Sequence, residues 1–113
     1  MTPTEQAAAV VEGIRMGDSE RARRREDVRD GAACKGMDPN MFHPIYNEAH
    51  EIGGIAAEAA RKALDVCDGC SVEYDCLATS VNVPADGGIR GGTLDAERRA
   101  MRVRWAPILA SNR

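Results

Sequence analysis

The sequence predicts an all-α fold: a small bundle of three or four short helices around a four-cysteine site, with a Gly-rich turn before the last helix. Apolar residues recur at intervals of three and four along several segments, which is the period of a helix. The 113 residues include only one Trp, one Phe and two Tyr, so the chain can bury little bulky apolar surface. Its four cysteines could supply a metal staple that compensates for this thin core.

Residues 1–30 are predicted to form an N-terminal helical arm. A first helix is expected over residues 5–16, with an apolar stripe of Ala7, Val10, Val11 and Ile14. Ser19 is a suitable N-cap for a second helix over residues 20–30. Because this second helix is dominated by charged residues, we expect it to be mostly solvated, with its charges paired along its own surface.

Residues 31–106 are predicted to form the cysteine-containing domain. The segment 35–46 contains two prolines and is expected to be an ordered loop pinned by Phe42. A helix is predicted over residues 47–65, which brings Cys67 to its inner end. Its buried face is expected to consist of Ile52, Ala56, Ala59, Ala63 and Val66 or Cys67.

The second half of this domain is predicted to contain a helix over 72–81 with Ser71 as N-cap, then a tight Gly-rich turn over 82–92. The last helix is expected to begin at Thr93 or Asp95 and to end or kink near Trp105, leaving residues 107–113 as a tail, because Pro107 follows. Its buried stripe would consist of Leu94, Met101, Trp105 and Ile108, with Arg98, Arg99 and Arg102 on the more exposed side.

The four cysteines are the candidate metal ligands. Cys67 and Cys70 form a Cys-x-x-Cys hook, and Cys34 and Cys76 complete a set of four thiolates. Zinc sites of this type usually use two such hooks, so the uneven spacing favours an iron–sulfur cluster over zinc. A structural zinc module, a thiol–disulfide reductase using Cys67 and Cys70, and a pair of disulfides remain alternatives.

Charge and hydropathy narrow the class of protein further. Residues 30–88 carry three basic and ten acidic side chains, whereas residues 89–113 carry six arginines and two acids. An acidic body with a basic tail suits a protein that touches nucleic acid through the tail. No stretch approaches the roughly 18 to 20 apolar residues of a membrane span, and no secretory signal precedes the arm, so a cytoplasmic protein without a membrane partner is expected.

Four ordered motifs carry a resemblance to a known family. They are Asp27–Cys34, Asp38–Pro44, Cys67–Leu77, and Gly88–Thr93 followed by Glu97–Arg99. In this order they resemble the WhiB-like (Wbl) iron–sulfur transcriptional regulators of actinobacteria and actinophages.

The resemblance implies a non-enzymatic, redox-responsive regulator with a [4Fe-4S] cluster as its cofactor. The implied cluster ligands are Cys34, Cys67, Cys70 and Cys76. The implied contacts to region 4 of the RNA polymerase primary sigma factor are Phe42, His43, Ile89, Arg90, Gly91 and Gly92. The implied contacts to the backbone of promoter DNA are Arg98, Arg99, Arg102 and Arg104.

The chain also departs from the family pattern. The family usually has aromatic residues where Val28, His43 and Arg90 stand, and aromatic anchors carry much of an interface's energy. Either the sigma interface is built differently here, or this chain has another protein partner. The 32 residues between Cys34 and Cys67 exceed the family's usual spacing and predict an inserted loop that includes residues 50–54.

Overall fold

The computed structural model describes residues 1–48, 51–83 and 87–111, and within these ranges its regular secondary structure is helical. The five α-helices are α1 (Pro3–Arg15), α2 (Asp18–Gly31), α3 (Gly54–Asp68), α4 (Glu73–Ser80) and α5 (Asp95–Ser111). A 3₁₀ turn at Pro39–Phe42 and an isolated bridge between Arg90 and Thr93 join them. The predicted all-α fold is confirmed.

Helix α1 begins two residues before its predicted start because Thr2 caps it. The Thr2 hydroxyl accepts a hydrogen bond from the Glu5 amide at 3.1 Å, and the Glu5 carboxylate accepts one from the Thr2 amide at 3.1 Å. This reciprocal capping box satisfies two amides that would otherwise lack partners. Val10 is buried as expected, together with Ala9.

Helix α2 is mostly solvated, as predicted, and none of its residues is fully buried. The prediction that Ser19 caps it is wrong, since the helix begins at Asp18 with Gly17 at the N-cap position. The cap loses little by being glycine, which is tolerated there at a cost of only a few tenths of a kcal/mol.

Helix α3 begins seven residues later than predicted. Asn47 and Glu51 close a loop of their own: the Asn47 amide donates to the Glu51 carbonyl, and the Glu51 amide donates to the Asn47 side chain, each at 2.9 Å. Such local bonds compete with helix formation. The buried face is also shifted, since Ala60 and Ala63 are buried whereas Ala59 is exposed. Of the expected inserted loop, residue 50 lies outside the described residues.

Helix α4 also starts later than predicted, at Glu73, and the Ser71 side chain does not cap it. The chain between α3 and α4 instead turns tightly through two bonds, from the Cys70 amide to the Cys67 carbonyl at 3.0 Å and from the Glu73 amide to the Cys70 carbonyl at 3.3 Å. These turns move the helix start past Ser71.

Helix α5 begins at Asp95, one of the two predicted starts, but it does not end near Trp105. It continues through Pro107 to Ser111. Proline at this position removes a bond to the carbonyl of Val103, whose side chain is 72% exposed, so solvent can replace that bond. Met101 and Trp105 are partly buried as predicted, and the Ile108 side chain lies outside the described part of the chain.

Two small cores hold the helices together. The first joins α1 to α4 and consists of Ala9, Val10, Met16, Leu77, Ala78 and Val81, with Met101 and Trp105 of α5 against it. The second joins the 3₁₀ turn to α3 and the Gly-rich turn, and consists of Phe42, Ala60, Ala63 and Ile89. The prediction that Phe42 pins its loop is confirmed.

No helix in the described ranges combines the length and the apolar character that crossing a bilayer requires.

Candidate metal centre

Cys34 lies in the turn that follows α2. The turn is closed by hydrogen bonds from the Lys35 amide to the Ala32 carbonyl at 3.1 Å and from the Met37 amide to the Cys34 carbonyl at 3.0 Å. The Ala33 amide donates to the Cys70 sulfur at 3.4 Å. This contact joins the Cys34 turn to the Cys-x-x-Cys hook across 37 positions of sequence.

The other three cysteines come from the α3–α4 connection. Cys67 lies in the last turn of α3, Cys70 follows in the tight turn, and Cys76 lies one turn into α4. All three are partly buried, whereas Cys34 is exposed, and all four are free thiols.

The four cysteines line one cavity of about 60 Å³. Its other walls are largely apolar, with Val28, Phe42 and Ile89 among them. Among the residues that the structure describes, no three His, Cys, Asp or Glu side chains are grouped so that they could hold a metal ion. The four thiols thus line a cavity and are not close enough together to bind a single ion.

The Gly-rich turn forms another wall of this cavity. Gly91 has a φ of +55°, and a Cβ there would lie 2.5 Å from the Leu77 amide nitrogen. Gly92 has a φ of +70°, and a Cβ there would lie 2.6 Å from a Glu73 carboxylate oxygen. Only glycine combines these left-handed angles with so close an approach to α4.

The main-chain amides of the same two glycines also affect the pKa of two of the thiols. Burial raises the pKa of Cys67 and of Cys76, and the amides of Gly92 and Gly91, respectively, oppose this shift. The charge of Arg90 also lowers the pKa of Cys76 against burial. Main-chain amides aimed at sulfur favour the thiolate form, which is the form that binds metal.

Arg98 holds the Gly-rich turn in place, and the prediction that it lies on the exposed side of its helix is wrong. Its side chain is only 3% exposed. The guanidinium donates to the Gly88 carbonyl at 2.6 Å and to the Thr93 carbonyl at 2.8 Å, with the Asp95 carboxylate 3.6 Å away. The carbonyls of the Gly-rich turn thus replace water as hydrogen-bond acceptors for the buried Arg98 guanidinium.

The other three predicted DNA contacts differ in exposure. Arg99 is 59% exposed and pairs with Asp95 at 3.0 Å. Arg102 is partly buried and donates to the carbonyls of Val81 and Val83. Arg104 is exposed, and its guanidinium lies 5.5 Å from the centre of the Trp105 ring.

Four of the six residues predicted to contact a partner line the cavity: Phe42, Ile89, Arg90 and Gly91. Ile89 and Phe42 are buried, and the Ile89 amide donates to the Phe42 carbonyl at 2.7 Å. His43 is exposed and lines a neighbouring groove, and Arg90 is partly buried near Cys76. The predicted partner surface and the predicted metal ligands are therefore parts of one structure.

A family model described as "Transcription factor WhiB" matches residues 29–101. The chain belongs to the WhiB family. Two relatives from Mycobacterium tuberculosis are similar to it: transcriptional regulator WhiB1 is 36% identical over 80 residues, covering 71% of this chain and 89% of the relative, and transcriptional regulator WhiB2 is 34% identical over 74 residues, covering 66% and 72%.

A transcriptional regulator WhiB1 from Bifidobacterium longum is 36% identical over 78 residues, covering 69% of this chain and 79% of the relative. No solved structure matches the chain. The WhiB match ends at residue 101, so Arg102 and Arg104 lie beyond it, and α1 lies wholly before it.

A polar network ties the N-terminal helices to the WhiB region, and the sequence analysis missed it. The Tyr74 hydroxyl donates to the Glu12 carboxylate at 2.6 Å, a bond that raises the pKa of Tyr74 to about 12. Arg24 of α2 pairs with Glu12 and with Asp75, the latter at 3.4 Å. Arg24 also pairs with Glu20 on its own helix, so the expected pairing along α2 is only part of its role. No local spacing could have revealed partners separated by 51 and 62 positions.

Proposed function

We propose that this WhiB-family transcriptional regulator binds a [4Fe-4S] cluster through Cys34, Cys67, Cys70 and Cys76 and acts at promoters by docking on region 4 of the primary sigma factor. The observation that carries the proposal is the cavity that all four cysteines share. Cysteines from two separate parts of the chain, the turn after α2 and the α3–α4 connection, meet there. They lie beside the surface that the family resemblance assigns to the sigma factor.

The residues around the cavity fit a cluster. Four cysteine thiolates are the usual ligands of a [4Fe-4S] cluster. A cluster is larger than a single metal ion, so its ligands must line a cavity, as the four cysteines do here. Gly91 keeps this wall free of a side chain, and the amides of Gly91 and Gly92 lower the pKa of Cys76 and Cys67, which favours the metal-binding thiolates. When bound, a [4Fe-4S] cluster would supply a centre that responds to oxygen or nitric oxide.

The proposed partner surface consists of Phe42, His43, Ile89, Arg90, Gly91 and Gly92. Phe42 and Ile89 fix the position of this surface, since both are buried in the second core. His43 and Arg90 offer polar contacts where the family usually has aromatic residues. Ordering of this surface by the cluster would make sigma binding depend on the cluster.

Contact with the DNA backbone is proposed for α5, mainly through Arg99 and Arg104. Both side chains are exposed, whereas Arg102 is partly engaged with main-chain carbonyls and Arg98 is buried. Phosphate contacts fix position and salt dependence rather than sequence choice. Replacing both Arg99 and Arg104 should reduce the magnitude of the negative slope of the log DNA-binding constant against log salt by about two, measured in the sigma-bound complex.

Purification under anaerobic conditions tests the cluster. The protein should be brown and contain about four irons per chain. The near-isosteric replacement Cys76→Ser removes a soft ligand with little change in packing and should lose the cluster. Colourless protein with one zinc per chain would contradict the proposal and favour the zinc module.

Co-expression with sigma region 4 tests the partner. The two chains should co-elute at low salt when the chain is iron-loaded, and Cys76→Ser should abolish co-elution. Failure of the iron-loaded chain to co-elute would indicate another protein partner.

A further inference from the structure

A basic groove lies against the exposed Cys34, on the outer side of the cysteine cavity. It has a volume of about 410 Å³ and shares Val28, Phe42 and Ile89 with that cavity as its apolar floor. Its charged lining residues are Arg29, Lys35 and Arg90, joined by His43. The groove therefore combines an apolar floor with a cationic rim.

The charge of this groove is opposite to that of the chain as a whole. The chain carries 18 acidic and 15 basic side chains, yet no carboxylate is among the described residues that line the groove. Three other arginines of α2, Arg21, Arg23 and Arg24, form ion pairs with carboxylates. Arg29 and Lys35, both exposed, form no ion pair with any residue in the described ranges.

We propose that this groove binds an acidic segment of a protein partner, with carboxylates against Arg29 and Lys35 and an apolar side chain against Val28, Phe42 and Ile89. The cationic rim is complementary to carboxylates, and the apolar floor fits a side chain better than a sugar–phosphate backbone. The position against Cys34 makes this segment the part of the partner that covers the cluster site. This inference rests on the proposed function and specifies the chemistry of its partner.

The groove carries polar side chains, His43 and Arg90, at two of the three positions where the family usually has aromatic residues. Charged rims set association rate and salt dependence more than raw affinity. Binding should therefore weaken strongly with added salt, in contrast to an interface built on aromatic stacking.

The test uses the iron-loaded full chain and two probes. One is a short fluorescein-labelled peptide with glutamates flanking leucines, paired with its glutamine counterpart, and the other is the purified sigma region 4 domain. The test variant is Arg29→Gln/Lys35→Gln. The matched control is Arg61→Gln/Lys62→Gln, which removes the same two charges from exposed positions on α3 away from the groove.

The acidic peptide should bind the wild type and the control alike, and the groove variant should bind about tenfold more weakly, with most of the difference lost at high salt. Equal binding of the glutamate and glutamine peptides, or equal loss in the control, would overturn the inference. Displacement of the bound peptide by a DNA duplex in the wild type but not in the groove variant would assign the groove to nucleic acid and overturn it as well.

The sigma domain separates the two proposals. If it binds wild type and groove variant equally, sigma docking stands and the acidic-segment inference fails. If the sigma domain binds neither but the acidic peptide behaves as expected, the inference stands and the partner is a different acidic protein.

Discussion

Replacing Arg98 by alanine should destabilise the whole protein, even though the residue lies on a basic helix that suggests a role in DNA binding. The change removes a cation whose side chain is 3% exposed and which bonds the carbonyls of Gly88 and Thr93 at 2.6 and 2.8 Å. Each hydrogen bond of a charged group contributes about 1.5–3 kcal/mol. The Asp95 carboxylate keeps Arg99 as a partner, so no unpaired charge adds to the loss.

The two bonds together give an expected loss of about 3–6 kcal/mol, a large share of the roughly 5–15 kcal/mol by which a domain of this size is stable. Thermal unfolding of the iron-loaded protein, followed by circular dichroism under argon, should show a midpoint lower by about 15 °C or more. The Gly-rich turn should loosen with it, so iron should also be released faster to a chelator.

The control is Arg99→Ala on the same helix. Its side chain is 59% exposed, so water screens its ion pair with Asp95, and the loss should be about 0–1 kcal/mol because Asp95 keeps Arg98 as a partner. A variant Arg98→Lys keeps the charge but not the planar fork that reaches two carbonyls, and should be intermediate. The reasoning is refuted if Arg98→Ala unfolds within a few degrees of Arg99→Ala and loses DNA affinity instead.

Three further substitutions test other contacts of the fold. Gly91→Ala should cost about 2–4 kcal/mol and release iron, because it adds a clash with the α4 backbone to the strain of a positive φ. Its control Gly54→Ala, at a similar φ of +59° with open space, should show the strain alone in chemical denaturation. Gly13→Ala should destabilise by about 1–3 kcal/mol despite its better helix propensity, because its Cβ would lie 2.5 Å from Val81. Gly17→Ala, with nothing within 4 Å, should show only the smaller loss of a glycine at the N-cap of α2, about 1 kcal/mol or less. Tyr74→Phe should lose about 1–2 kcal/mol in the same measurement by removing the bond to Glu12, and no loss would mean that the N-terminal helices are not held by this network.

Much of the helical order could be predicted from the sequence because it rests on local signals. Apolar residues at helical spacing located α1 and α5, and the Cys-x-x-Cys hook located two of the cavity's four cysteines. The late start of α3 was not predictable from periodicity, because the bonds between Asn47 and Glu51 compete with a helix that the apolar pattern alone would allow.

The errors about arginine have a common physical cause. A basic residue on a short charged helix is usually solvated, so Arg98 was expected to be exposed and Arg24 to pair along its own helix. Arg98 instead binds the Gly88 carbonyl, and Arg24 binds the Glu12 carboxylate in addition to Glu20 on its own helix. Only the folded chain brings Gly88 and Glu12 within reach of these arginines. The spacing of residues along one helix contains no information about such partners.

These polar ties explain how a chain with so few aromatic residues can hold a rigid site. Helix α4 has only eight residues, yet it contributes to both the core and the cysteine cavity. Leu77 is fully buried in the first core, and its neighbour Cys76 lines the cavity. Any tilt of α4 against α1 would therefore displace a proposed cluster ligand. Arg24 holds α4 against the N-terminal helices, and Arg98 holds the Gly-rich turn that packs against α4. One of these cations is partly buried and the other fully buried. They stabilise contacts that bulky apolar side chains provide in larger cores.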